Sequence, residues 1–493
     1  MLFGLCSCVI VLSLLLGGGT HSGFLGDVAL QSLTIPLVAM ALWPAFDRSH
    51  PRHKNARESG AVLLICAGVV AIQILPLPFD FWHRGASLFA GPKDAGAILP
   101  VGVWSTFSLT PDASWAAAAS MIVPLAIFGA ASQIGFEERS LLAKVVLGVG
   151  ALALLLGFVQ FVQGPASGLR FYERTNPTEA VGFFANRNHF AALLNATLIL
   201  CGLWLAETIE APLEHGASKS RGILWFSAAA VFLAAVVTGL FMAQSRAGVL
   251  LALPALLGVA AMIVARPTQN ERTQGLRRKS GRIGAAVILF ALVFAVAIGS
   301  SGVLARFESG VIDDLRIPLA RTTLETLPKA LPFGTGLGSF PSVYAVVEKN
   351  AEVITEFVNR AHNDFAEILL ETGLLGAVLG VSFLVWFGAR AFAIWMRAPG
   401  ACDRRQVLLE RASTLIVALL LFHSFVDYPL RTTALSAVFA FFCAILAAPA
   451  PPAPFAKPAR RSRLSAASAN ALLRLDERED SQWPEIWRRK DEV

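Results

Sequence analysis

Charge is what this chain lacks most. Only 15% of its 493 residues are Asp, Glu, Lys or Arg, whereas 55% are hydrophobic and the mean hydropathy is +0.62. Those values exclude an ordinary water-soluble domain and point to a chain built for a bilayer. Cysteine is also scarce. Cys6, Cys8, Cys66, Cys201 and Cys443 fall in apolar runs and Cys402 in a basic loop, so no disulfide framework is implied. Cys6 and Cys8 form CxC without an accompanying histidine pair, which is not a zinc-site spacing. Nothing resembles a soluble Rossmann domain, and no internal repeat is evident, which weighs against a transporter built from inverted halves.

Apolar runs are plentiful. Windows of about 19 residues, the length of helix that crosses roughly 30 Å of hydrocarbon, predict about twelve spans. Their limits are 2–18, 25–46, 60–76, 114–135, 141–163, 189–206, 222–243, 248–265, 283–302, 366–396, 412–428 and 432–449. The expected fold is therefore all-α and polytopic. The first run has no basic n-region, and residues 17–23 offer no small-x-small cleavage site, so it is expected to stay as a helix.

Lys and Arg are unevenly distributed. With the N-terminus cytoplasmic, the basic segments DRSHPRHKNARE from Asp47, RPTQNERTQGLRRKSGR from Arg266, RAPGACDRRQVLLER from Arg397 and the tail after Pro449 all fall inside. About 26 basic residues then lie inside against about 13 outside, a positive-inside bias. The net charge of +7 reads as a topology signal, and a nucleic-acid partner is not needed to account for it. The tail 450–493, with a Pro and Ala linker followed by basic sequence, is expected to be a solvated, disordered cytoplasmic segment, with Trp483 and Trp487 able to touch anionic lipid.

Three outer segments are long enough to carry a site: 77–113, 164–188 and, above all, 303–364. Within the last, helical periodicity is expected over 309–329 and 342–359, with apolar faces against the bilayer or the bundle mouth. PFGTGLGSF from Pro332 breaks the helix. Its spacing departs from GxGxxG and no strand precedes it, so a structural turn is favoured over a phosphate loop.

The charged, histidine-bearing run RAHNDFAEILLETGLLG from Arg360 lies directly against a long apolar run. Together with GFFANRNHFAALL from Gly182, SRAG from Ser245 and HSFVDYPLR from His423, it resembles the bacterial O-antigen ligase and polysaccharide polymerase superfamily. His362 and Asn363, then nine intervening residues, then Gly373 and Gly376, match a His-Asn pair with a distal GxxG. The resemblance covers roughly 141–449. It divides the chain into N-terminal helices 1–140, a ligase-like membrane domain 141–449 containing a periplasmic loop 303–364, and the tail 450–493.

The resemblance implies a GT-C-like membrane glycosyltransferase in the bacterial inner membrane with its active site on the periplasmic side. The donor would be an undecaprenyl-diphosphate-linked glycan, and the acceptor a lipid A core sugar or a growing polysaccharide. O-antigen ligase is the first expectation and polymerase the second. A lipid-linked glycan flippase is the rival from another class, and it would place ionisable residues deep in several spans, whereas most charges here sit at span ends.

Chemistry points to the same residues. A diphosphate leaving group carries charge that cations fixed in advance must meet, and arginine suits that task. Arg246 sits in a very short outer turn with no acid in that turn. Arg321 and Arg316 lie in the large loop, and Arg360 stands two residues before His362. Arg246 and Arg321 are the expected diphosphate ligands, with Arg360 or Arg316 in support. Asp313, Asp314 and Glu325 lie at helical spacings from Arg316 and Arg321, so local ion pairs are the plain alternative, and spacing favours it for Arg316.

His362 is the expected base for the acceptor hydroxyl, with hydrogen bonding to the diphosphate as its other possible role. Asn363 or Asp364 is expected to cap the following helix, with Glu367 completing a capping-box-like pattern, and Glu371 to face the bundle interior with a partner. Asn363, Asn186, His189, His423 and Asp427 are second-tier candidates. His423 and Asp427 are expected one turn apart on a helix face, as a structural unit or as part of the acceptor cleft. Asp313 and Asp314 are the one conceivable metal site. No compact ligand set supports it, so no metal or other cofactor is expected.

Overall fold

The computed structural model describes residues 1–20, 24–78, 104–214, 219–264, 316–349, 358–397 and 402–448. The expected span at 283–302, the pair Asp313 and Asp314, and the tail lie outside the described residues. Residues 1–397 and 405–449 form one compact unit.

The helices are α1 (Leu2–Leu16), α2 (Leu25–Leu42), α3 (His53–Ile74), α4 (Pro111–Ser120), α5 (Ile122–Ala131), α6 (Phe136–Gln163), α7 (Arg187–Glu214), α8 (Lys219–Met242), α9 (Arg246–Val264), α10 (Arg316–Ala330), α11 (Phe340–Val347), α12 (Asp364–Trp395), α13 (Arg404–His423) and α14 (Thr433–Ala447). Among the described residues, nine helical stretches are long and apolar enough to cross a membrane, counting α4 and α5 as one, and α1 and α14 are shorter apolar helices. The chain is a multi-pass membrane protein. The single strand pair described is two residues long, Leu77–Pro78 antiparallel to Trp104–Ser105.

Helix α7 is the hub. Its apolar stretch is almost wholly buried, as expected for a helix apolar all round. It packs against α6, α8 and α9, and one continuous core runs from Leu2 in α1 to Leu446 in α14. Lipid tails are as apolar as leucine, so close packing must hold such a bundle. Small residues permit it: Gly150 leaves no room for a Cβ beside Thr197, nor Gly202 beside Val259.

Hydrogen bonds sort the helix ends into two groups. At one end Ala434 N–H donates to Gly17 O (3.0 Å), Ala185 N–H to Gly18 O (3.0 Å), Ala180 N–H to Met242 O (3.1 Å) and Asp364 N–H to Ser424 O (2.9 Å). At the other, Asn55 Nδ2 donates to Ser132 O, Arg390 Nε to Leu446 O, and Arg397 pairs with Glu410. This second end carries the basic segments after Asp47 and Arg397, and the first carries every candidate site residue.

Helices α10 and α11 cap the first end over a small separate core of Leu319, Ala330, Phe340, Val343, Tyr344, Ala361 and Leu370. The second helix expected in this loop ends at Val347, short of 359, because the chain turns extended at Glu348 (φ −56°, ψ 130°). Between α10 and α11 the GTGLG segment docks onto a break in α12 at Gly373 (φ 60°, ψ −145°). Thr335 N–H donates to Leu370 O (3.0 Å), Gly336 N–H to Glu371 O (2.9 Å) and Leu374 N–H to Pro332 O (2.8 Å). Gln73 in α3 locks the joint, donating to Glu371 O (2.7 Å) and accepting from Leu337 N–H (3.0 Å).

The backbones approach too closely for side chains. A Cβ on Gly373 would lie 2.2 Å from Pro332 O and one on Gly334 2.4 Å from Glu371 O, and both residues have positive φ. The N–H groups of Thr335, Gly336 and Leu337 are consumed in this joint, which is a structural turn. Gly373→Ala is expected to cost about 1–3 kcal/mol from backbone strain alone, read as a lowered thermal midpoint in detergent. An unchanged midpoint would overturn the close-approach account.

Candidate active site at the capped end of the bundle

Three segments meet at the capped end. The α7 start brings Asn186, Asn188 and His189, the α8–α9 turn brings Ser245 and Arg246, and the stretch between α13 and α14 brings His423, Asp427, Tyr428 and Arg431. SRAG packs directly on RNHF: Ser245 Oγ hydrogen-bonds Asn188 Oδ1 at 2.8 Å, and a Cβ on Gly248 would be 2.5 Å from Ala191 Cβ.

The helix expected to run to 428 ends at His423. Tyr428 precedes Pro429, which disfavours helical backbone, and Tyr428 is accordingly non-helical (φ −127°, ψ 54°). Asp427 therefore does not share a helix face with His423. Its N–H donates to His423 O at 3.0 Å, while its carboxylate turns to His362, with Oδ1 3.1 Å from Nδ1. Asp427 Oδ2 is 3.7 Å from an Arg316 guanidinium nitrogen, so the described ion partner of Arg316 is 111 residues away in sequence. The local pairing expected with Asp313 and Asp314 lies outside the described residues.

Burial works against the Asp427 charge, but the His362 hydrogen bond, the Arg316 guanidinium, and the His362 and His189 rings outweigh it. They hold its carboxyl well below the usual carboxylate range. Tyr428 stands between two histidines, with the rings of His189 and His362 each edge-on at 4.9 Å. Burial and the nearby Asp427 charge raise its phenol. His362 itself has φ 51°, a left-handed conformation uncommon outside glycine that persists only where the surroundings impose it.

Beside His362 opens a cavity of about 930 Å³, lined by Arg246, Arg316, Arg321 and His362 together with apolar residues such as Leu250 and Phe425. Three of the four expected diphosphate arginines thus share one cavity with the expected base. Arg321 also makes the local pair its spacing suggested, Nε to Glu325 Oε1 at 2.9 Å, on an exposed helix face. Arg360 is placed differently. It does not line the cavity and pairs with buried Glu367 at 2.9 Å.

That pair belongs to a buried charge cluster beneath the site. Arg431 approaches Asp364 Oδ1 (3.4 Å), Glu367 Oε1 (3.4 Å) and Glu371 Oε2 (3.1 Å). Burial opposes the Arg431 charge, and the carboxylates of Glu371, Glu367 and Asp364 more than offset it, raising the guanidinium above its ordinary range. Glu371 has the interior partner its position demanded. The cap of α12 is Asn363, whose Oδ1 accepts from Ala366 N–H at 3.0 Å. The capping box does not form as expected, because Glu367 reaches past the cap to accept from Ala361 N–H at 2.9 Å while held by two arginines.

His189 and His423 are buried, and neither lines the cavity, so they support the site from within the bundle. Sequence reasoning missed Tyr428 and Arg431, although both lie in HSFVDYPLR. The available signal was the one that singled out Arg246, a cation between two apolar spans. Among the described residues no group of three or more His, Cys, Asp or Glu is arranged to hold a metal ion.

Residues 229–381 match the model of the family described as O-Antigen ligase. The similarity to the O-antigen ligase family covers under a third of the chain. The match is narrower than the resemblance read over 141–449, and it contains Arg246, Arg316, Arg321 and His362. The partners Asp427, Tyr428 and Arg431 lie C-terminal to the matched segment and fold back onto it. No curated protein matches the chain.

Proposed function

We propose that this protein is a glycosyltransferase of the O-antigen ligase type, which moves a glycan from undecaprenyl diphosphate to an acceptor sugar at the periplasmic face of the bacterial inner membrane. The observation that carries the reading is the meeting of three arginines and His362 around one cavity at the mouth of an apolar bundle. The basic segments at the opposite end support the orientation.

In this reading Arg246, Arg316 and Arg321 meet the diphosphate oxygens. With Nδ1 of His362 held by Asp427, Nε2 is the ring nitrogen left to face an acceptor hydroxyl. Nε2 takes the hydroxyl proton as the oxygen bonds to the anomeric carbon, and the bond from that carbon to the diphosphate breaks. The leaving diphosphate keeps the electron pair, and the arginines stabilise the charge that develops. Asp427 acts on the imidazole alone, as a positioning residue. Arg360 is left out of diphosphate binding in this reading because, unlike the other three, it does not line the cavity.

The test is transfer in vitro from purified undecaprenyl-diphosphate glycan, with lipid A core and lipid-linked repeat units offered in parallel. A single addition to the core is expected. A ladder of repeats would make the protein a polymerase, and no transfer by well-folded protein would favour a flippase. Because the proposed charge stabilisation comes from guanidinium groups, activity is expected to persist in excess chelator. Loss restored by magnesium or manganese would defeat that part of the proposal.

A further inference from the structure

The basic end of the bundle carries a second cavity that the transfer chemistry does not use. It is a groove of about 720 Å³ between α6, α7 and α8, whose lining includes Lys144, Gly148, Ala151, Trp204, Glu207 and Trp225. Lys144 lies eight residues into α6 and Glu207 near the apolar end of α7, so both sit close to the level where the hydrocarbon begins. Trp204 and Trp225 cross edge-on at 6.2 Å, and tryptophans favour that interfacial depth. From there the groove runs inward over Gly148, Ala151 and Phe232, where the small Gly148 and Ala151 of α6 leave room beside the helix. Leu152 and Leu155 next to it, and Val231 on α8, are exposed, so the groove opens sideways toward lipid.

Two opposite charges thus share one lipid-facing groove. Among the described residues neither Lys144 nor Glu207 forms an ion pair within 4 Å, with the other or with a third residue. Arg405 and Glu137, the other charges within electrostatic reach of Glu207, are paired with each other at 3.4 Å. A charge at the edge of the hydrocarbon is costly unless something neutralises it. A zwitterionic phospholipid bearing a primary amine supplies both complements, a phosphate for the Lys144 ammonium and N–H donors for the Glu207 carboxylate, with an acyl chain for the apolar trough. A choline headgroup lacks the N–H donors, and a glycerol headgroup lacks the cation.

We propose that this groove is a binding site for one phosphoethanolamine glycerophospholipid of the leaflet at the basic end, with its phosphate on Lys144, its amine on Glu207 and its acyl chain along Gly148 and Ala151.

Native mass spectrometry of the full chain in detergent, supplied in turn with phosphatidylethanolamine, phosphatidylcholine and phosphatidylglycerol, tests the assignment. The wild type is expected to retain phosphatidylethanolamine at least tenfold better than phosphatidylcholine. Glu207→Gln should bring the two lipids level, and Lys144→Gln should weaken both. Equal retention of all three lipids by the wild type, or undiminished preference in both variants, would overturn the proposal. Should the variants fold poorly, phosphatidylethanolamine carrying a photoreactive acyl chain can be crosslinked to the wild type. Adducts are expected in the α6 and α8 segments containing Ala151 and Phe232, and adducts confined to other helices would refute the site.

Discussion

Replacing His362 by alanine is expected to reduce glycan transfer by about 10²–10⁴-fold, the range typical of losing a positioned general base. The ring borders the cavity and is only partly exposed, and its Nδ1 is 3.1 Å from a carboxylate that Arg316 also faces. His362→Gln keeps a hydrogen-bonding group beside Asp427 but cannot accept the proton, so the same loss is expected with the thermal midpoint near that of the wild type. Asp427→Asn should lose on the order of 10² in transfer, because the amide can present a donor to Nδ1 and favour the wrong tautomer. Transfer at the wild-type rate by both His362 variants would remove the histidine from the chemistry.

Arg431→Leu is expected to be the most destabilising single change at the capped end. Removing the guanidinium leaves Asp364, Glu367 and Glu371 buried, with Arg360 the one cation paired with them that remains among the described residues. Breaking a buried charge cluster on one side costs about 3–5 kcal/mol. The variant should lose its native thermal transition at temperatures the wild type withstands. It should also lose transfer, since Glu367 holds Ala361 and Arg360 beside His362. Combining Arg431→Leu with Glu371→Gln should recover part of the stability, because one uncompensated carboxylate is then neutral. A double variant no more stable than Arg431→Leu would show that the cluster is not coupled as its distances suggest.

The particular residues show how far sequence reasoning reaches. Glu371 was readable as an interior charge in need of a partner, because ionisable groups are rare and costly in apolar helices. The partner was not readable, since Arg431 lies 60 residues away and the pairing depends on a turn that Pro429 imposes after α13. Arg316 has a described partner that spacing did not offer, Asp427, reached because α10 folds back over the bundle mouth; the nearby acids that spacing favoured, Asp313 and Asp314, lie outside the described residues. His423 and Asp427 looked like neighbours on one helix face and are divided by the end of that helix.

The sequence by itself determined the membrane-spanning all-helical class, the basic and non-basic ends, the superfamily to which residues 229–381 are matched, and the break at PFGTGLGSF. These follow from composition, period and local backbone preference, which act within a few turns of chain. Only the tertiary structure decided that Arg246, Arg316, Arg321 and His362 share a cavity, that Asp427 and Tyr428 hold His362, and that Arg360 serves the buried cluster. Those pairings join residues far apart in the chain, and burying charge leaves each side chain few partners, so packing at the capped end selects them.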